Sequence, residues 1–226
     1  MAVQLFTKFR ARERHLAEQL GRHSFFRQAD TLTDQAFKDY LVQRMRTSEV
    51  FVDWYRLAAA KLSSADAKKV VQSIINDERP VGRCTHFEDL LADLRFIGIS
   101  NPLSVLASVR TVRIISDQTR ILDRPRTLDT CQRDLEILVI LKIAGETLVA
   151  AEYAHVVRQL ERRFGLTREV SRFYWPHLEH DSESGNHSRR FDEVLRSLIT
   201  DQLALGNACN VANDAARIRM KFFDQF

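Results

Sequence analysis

The stretch from Thr130 to Phe164 constrains the fold most: it contains no proline, is apolar on nearly every side through its middle, and is stopped by Gly165. Leu135, Ile137, Leu138, Val139, Ile140 and Leu141 lead through Ile143 and Ala144 to Gly145-Glu146, and Leu148 to Ala151 continue the apolar run. A helix that is apolar all round is normally enclosed by other helices. This segment is therefore predicted to be the central helix of the molecule. Glu146 sits in the middle of it. An unpaired carboxylate there would cost several kcal/mol or stay protonated, so a metal cation or a neighbouring arginine must offset it.

Period-3.6 patterning predicts six further helical segments around that centre, divided by Gly, Pro, Ser, Thr and Asp at start and stop positions. They run from Val3 to Arg27, from Thr33-Asp34 to Leu62, from Ala65 to Phe96, from Ser100-Asn101-Pro102 to Leu122, from Thr167 through a histidine-rich stretch, and from Asp201 to Phe223. The third is expected to be disturbed at Pro80 and Gly82, because proline removes a backbone donor and clashes with the preceding turn. With only seven glycines and four prolines in 226 residues, and no repeat or glycine-rich phosphate loop, the chain reads as a single all-α domain over residues 1–226.

Charge and cysteine usage narrow the partners. The formal charge of +4 is carried by arginines spread along every segment, with no block of like charges, so no nucleic-acid partner is expected. Cys84, Cys131 and Cys209 are odd in number and lack a C-x-x-C spacing, which favours free thiols and a reducing compartment. No apolar run reaches about 18 residues and no leader pattern opens the chain, so a soluble, cytoplasmic protein with no membrane partner is expected. Two-fold pairing is the commonest assembly, which makes a homodimer the default.

His177, Asp181 and His187 place two imidazoles and a carboxylate within three helical turns, a donor set suited to iron or manganese. On an ideal helix, positions 177 and 181 share a face and 187 lies about 80° off it, unless Gly185-Asn186 loosens the helix and swings His187 back. The alternative is a polar helix surface with scattered histidines. Glu78 and His86 in the third segment add a second carboxylate and imidazole, although eight residues of ideal helix would hold them about 12 Å apart. Distortion at Pro80 and Gly82 would bring them closer and leave a locally mobile ligand helix. Glu152 and His155 form a Glu-x-x-His pair of the kind used in carboxylate bundles, but those bundles need a second copy. None is present, so the pair reads as a surface or supporting feature.

Taken together these segments resemble the haem-oxygenase-like di-iron oxidases and oxygenases, a seven-helix family that includes fatty-acid decarboxylases, N-oxygenases and amino-acid-cleaving enzymes. The similarity covers most of the chain. His23-Ser24-Phe25-Phe26 and Leu32 to Leu41 resemble the entry into the second helix. Asn76, Asp77-Glu78 and His86 with the run to Gly98 resemble the third-helix pattern. Glu146 falls at the fifth-helix glutamate, and Tyr174, His177 and Asp181 resemble the sixth-helix aromatic, histidine and aspartate. The resemblance implies that Glu78, His86, Glu146, His177, Asp181 and a last histidine bind two ferrous ions. The commonest pattern has that histidine three residues after the aspartate, where this chain has Ser184; His187 is assigned, with His180 as the fallback. Glu49 or Asp53 would be the extra carboxylate that some members recruit from the second helix.

What the resemblance implies is a dioxygen-dependent oxidase or oxygenase acting on a small molecule. Cofactors would be two Fe(II) ions or manganese, dioxygen would be co-substrate, and an external electron donor would serve as redox partner. The disturbed third helix implies that one metal is held more weakly. Arginine beside aromatic residues suits a carboxylate, so an amino acid or carboxylic acid is the expected substrate class. Two alternatives stay open: a metal-free enzyme of the thiaminase or quinone-cofactor-oxidase type on the same scaffold, and a non-catalytic helical interaction protein whose buried charges pair with arginines.

Overall fold

The computed structural model describes residues 2–125, 129–181 and 186–226. The chain is 80% helical and no strand occurs among the described residues, so the all-α expectation holds. The central element is α8 (Thr130–Leu141) continued through a widened π turn (Lys142–Thr147) into α9 (Leu148–Phe164). Every residue from Asp134 to Ile143 is buried. The other helices are α1 (Ala2–Gly21), α2 (Ser24–Gln28), α3 (Asp34–Glu49), α4 (Phe51–Lys61), α5 (Ala65–Glu78) and α6 (His86–Phe96). After them come α7 (Val109–Asp123), α10 (Tyr174–Asp181), α11 (Asn186–Leu198) and α12 (Gln202–Phe223). α11 and α12 pack on α8, while α1 and α10 pack on α9. One continuous hydrophobic cluster joins them, in which each fully buried leucine or phenylalanine contributes about 1.5–3 kcal/mol.

Several predicted segments are divided, each for a local reason. The first ends at Gly21, and His23 caps the short α2 by accepting from the Phe25 N–H. The second breaks at Val50, where the Thr47 hydroxyl donates to the Arg44 carbonyl at 2.7 Å, a back-bond that bends helices. The third stops at Glu78, because a residue before proline is pushed out of the helical region; Arg79 stands at φ −130°, ψ 67°, and Gly82 takes φ 74°. Helix α7 begins only at Val109, with the Ser108 hydroxyl accepting from Thr111 N–H rather than a start at Pro102. Gly165 ends α9 in the left-handed conformation that the sequence pointed to. The sixth segment starts at Tyr174 instead of Thr167, and His187 falls in the first turn of the separate helix α11. The single-helix geometry expected for His177 and His187 therefore does not apply.

Buried carboxylates fix how these pieces meet. Asp93 on α6 accepts from the Ser171 hydroxyl and from the backbone N–H groups of Arg172, Phe173 and Tyr174, capping the start of α10. That contact clamps the helix that begins with His86 to the one that carries His177. Asp134 on α8 does the same for the α4–α5 corner, accepting from the N–H groups of Ser63 and Ser64.

A candidate metal centre on one cavity wall

Five of the six residues read as ligands have described side chains, and these gather in two adjoining sets. The first set is Glu78, His86 and His177, whose donor atoms all lie within 4.8 Å of one another. Glu78 closes α5, and the break at Pro80 folds the chain back so that His86 Nδ1 stands 3.1 Å from Glu78 Oε1. Thr85 makes this placement reproducible: it forms a reciprocal capping box with Glu88, which starts α6 at His86. His177 Nδ1 donates to the Phe173 carbonyl at 2.8 Å, which turns Nε2 toward Glu78 at 3.7 Å. Burial pushes the Glu78 carboxyl up, but His177 and His86 outweigh it and hold it at about 2. Glu78 is thus a carboxylate at neutral pH.

The second set is Glu146 with His187. Glu146, 1% exposed, sits in the π turn, whose extra width shifts the helical register. Lys142 consequently points to Glu13 on α1 and Asp192 on α11, whereas Glu146 points into the cavity. The Tyr55 hydroxyl donates to Glu146 Oε1 at 2.6 Å, and His187 Nδ1 lies 3.4 Å from Oε2. Gly145 is what allows Tyr55 so close: a Cβ there would stand 2.6 Å from the Tyr55 hydroxyl. On its other side His187 Nε2 meets Asp77 Oδ2 at 3.2 Å, and Asp77 is in turn held by Arg190 at 3.1 Å. A carboxylate on the outer nitrogen fixes the ring and raises its basicity, the usual support for a metal-ligating histidine.

These donors suit a divalent cation. Among the described residues no arginine or lysine forms an ion pair with Glu78 or Glu146. The buried His86 Nδ1, although close to Glu78, has no aligned hydrogen-bond partner. A set of two carboxylates and three imidazoles, nitrogen and oxygen donors without a thiolate, matches iron or manganese better than a thiolate-preferring ion. Glu78, Glu146, His177 and His187 line one cavity of about 290 Å³.

The remaining sequence candidates divide. The side chains of His180 and Asp181, and the whole of Ser184, lie outside the described residues. Glu49 borders the cavity and pairs with Arg46 at 2.8 Å. Asp53 is exposed and pairs with Arg56, away from the lining. The surface reading of Glu152 is wrong. It is fully buried, accepts from Tyr40 and Arg44, and is bridged tightly by Arg219. His155 lies apart from Glu152, stacked near Phe26 and beside Arg158, so Glu-x-x-His forms no common site. Sequence reasoning missed Tyr55 and the supporting role of Asp77. The available signal for the first was Gly145, a glycine in an otherwise strong helix beside a buried glutamate.

No family model matches the sequence, and no curated protein matches it at a significant level. Solved structures do. A CADD-like protein of unknown function from Nostoc punctiforme PCC 73102 superposes with a TM-score of 0.74 at 15% identity, covering 97% of this chain and 96% of that one. A second crystal structure of that protein gives a TM-score of 0.72 at 13% identity over 97% and 94%. A TenA family transcription regulator from Silicibacter sp. TM1040 gives 0.65 at 13% identity over 98% and 95%. Likeness at these identities speaks for fold alone, and the fold is the haem-oxygenase-like helical bundle.

Proposed function

We propose that this chain is a non-haem di-iron enzyme that uses dioxygen to oxidise a small molecule, with an amino acid or carboxylic acid as the substrate class. The observation that carries this reading is the convergence of Glu78, His86, His177, Glu146 and His187 beside one cavity, with no arginine paired to either glutamate among the described residues. Glu78, His86 and His177 would hold one iron and Glu146 with His187 the other; Asp181 completes the proposed set. An iron pair bound there would supply the reduction of dioxygen, with electrons drawn from the substrate or from an external donor. The protein's own share is positional. Asp93 clamps the two histidine-bearing helices, Asp77 orients His187, and Tyr55 holds Glu146 through a short hydrogen bond. Phe51, Phe87 and Phe173 make the walls apolar and limit water near the reacting group.

A metal-free enzyme is the second reading, and the Tyr55–Glu146 pair favours it, since a buried carboxylate sharing a proton with a phenol can serve as acid and base toward an organic substrate. The two readings part on one experiment. Protein loaded anaerobically with ferrous iron is exposed to dioxygen while oxygen uptake and the visible spectrum are followed, with a panel of small carboxylic and amino acids present. Iron-dependent uptake, stimulated by some member of the panel, is the expected result. Activity that survives complete chelation would transfer the assignment to the metal-free reading.

A further inference from the structure

The cavity wall carries two arginines in different states. Arg44 is spent: its guanidinium bonds Glu152, Thr47, Ser48 and the Tyr153 hydroxyl. Arg79 is exposed and lines the same cavity; its backbone N–H donates to the Ile75 carbonyl, but its guanidinium has no ion pair or hydrogen bond with any described residue. Glu49, an exposed carboxylate on the same lining, is engaged by Arg46. The rim therefore offers one uncommitted positive charge, while the walls further in are Phe51, Val52, Phe87, Val149 and Phe173. The backbone under Arg79 is pinned by Pro80 on one side and by the end of α5 on the other, so the base of its side chain is fixed at the break that also presents Glu78.

We infer that Arg79 grips the carboxylate of the substrate at the cavity rim, so that an apolar body enters toward Glu146 and His177 and is the part that reacts. The inference rests on the cavity being the substrate site, and it deepens the functional reading by setting the direction in which the substrate lies. A cavity of about 290 Å³ stands at the small end of the roughly 300–1,000 Å³ usual for ligand pockets, which suits a short aryl or branched-alkyl monocarboxylate. One guanidinium fork matches one planar carboxylate in two parallel hydrogen bonds. A phosphate monoester fits worse, because its second charge would meet the lining carboxylates Glu49 and Glu78 with no further uncommitted arginine on the lining. In this orientation the carboxylate is anchored by protein and is not needed as an iron ligand.

The test is calorimetric binding of 3-phenylpropionate and its uncharged amide to metal-free and ferrous-loaded protein, with the wild-type chain and the Arg79→Gln and Arg79→Lys variants. Wild type should prefer the acid by about tenfold, the net value of a charge-assisted hydrogen bond. Arg79→Gln should abolish the preference and Arg79→Lys should keep part of it, with unchanged near-ultraviolet circular dichroism in both. Equal binding of acid and amide, an undiminished preference in Arg79→Gln, or no binding of either probe would overturn the inference. The two proposals fail separately. An Arg79-dependent preference in protein that takes up no iron would keep the substrate orientation and remove the di-iron reading, and iron uptake without any acid preference would do the reverse.

Discussion

Two buried carboxylates on the same continuous α8–α9 element, Glu152 and Glu146, are treated in opposite ways. Glu152 is surrounded by Arg44, Arg219 and the Tyr40 hydroxyl, so that its charge is neutralised by protein alone. Glu146, one and a half turns earlier, meets a tyrosine and a histidine, and Glu78 beside it meets two histidines. Burial is similar in both places but compensation is not. The difference teaches how to separate structure from function in a helical core: a saturated carboxylate ties helices together, whereas a carboxylate facing imidazoles retains lone pairs for something else.

The largest effect should come from the saturated side. Glu152→Gln leaves Arg44 and Arg219 with an uncompensated buried charge and should cost about 3–5 kcal/mol, read by chemical denaturation. Its iron content per folded chain should stay that of the wild type, because Glu152 touches none of the proposed ligands. Burial pushes the Glu152 carboxyl up, but Arg219 and Arg44, helped by Tyr40, outweigh it and hold it below the usual range. A carboxyl lowered on folding contributes stability that is present above its unfolded pKa and lost as pH falls toward the folded one. The acid limb of a stability–pH curve should therefore flatten in Glu152→Gln. An unchanged acid limb would mean that the arginines do not govern this charge.

Next in size is Gly145→Ala, whose added methyl meets the Tyr55 hydroxyl at 2.6 Å and should cost about 1–3 kcal/mol as overpacking. Combining it with Tyr55→Phe should return part of that loss, whereas additive losses would show that Tyr55 is not what Gly145 accommodates. The smallest change belongs to Asp77→Asn, which keeps the shape but weakens the support on His187. It should lower ferrous affinity about 10–100-fold with little effect on unfolding. A variant that bound iron as tightly as wild type would make Asp77 a surface partner of Arg190 and nothing more.

The sequence disclosed the central helix because an all-round apolar stretch has few other places to go, and it disclosed the break at Pro80 because proline acts locally. It did not disclose the break at Val50, where no glycine or proline stands and the bend comes from Thr47 bonding back to Arg44. Glu78 and His86 looked too far apart on an ideal helix, and the chain reversal after Glu78 brings them to 3.1 Å. Glu152 was misread because its partners are remote: Arg44 is 108 positions away and Arg219 is 67. No local pattern reports such a meeting. His187 was placed on the wrong helix for the related reason that its position is set by packing of α11 against α5 and α8 rather than by its neighbours in sequence.

The most direct measurement is anaerobic titration of ferrous iron into the purified metal-free chain, with stoichiometry determined by elemental analysis, on wild type, Glu78→Gln, Glu146→Gln and Glu152→Gln. Two irons should enter each wild-type chain with unequal affinities, and tight binding should be lost in Glu78→Gln and Glu146→Gln and fully kept in folded Glu152→Gln. A folded wild-type chain that takes up no iron, or uptake that is indifferent to Glu78 and Glu146, would contradict the di-iron reading.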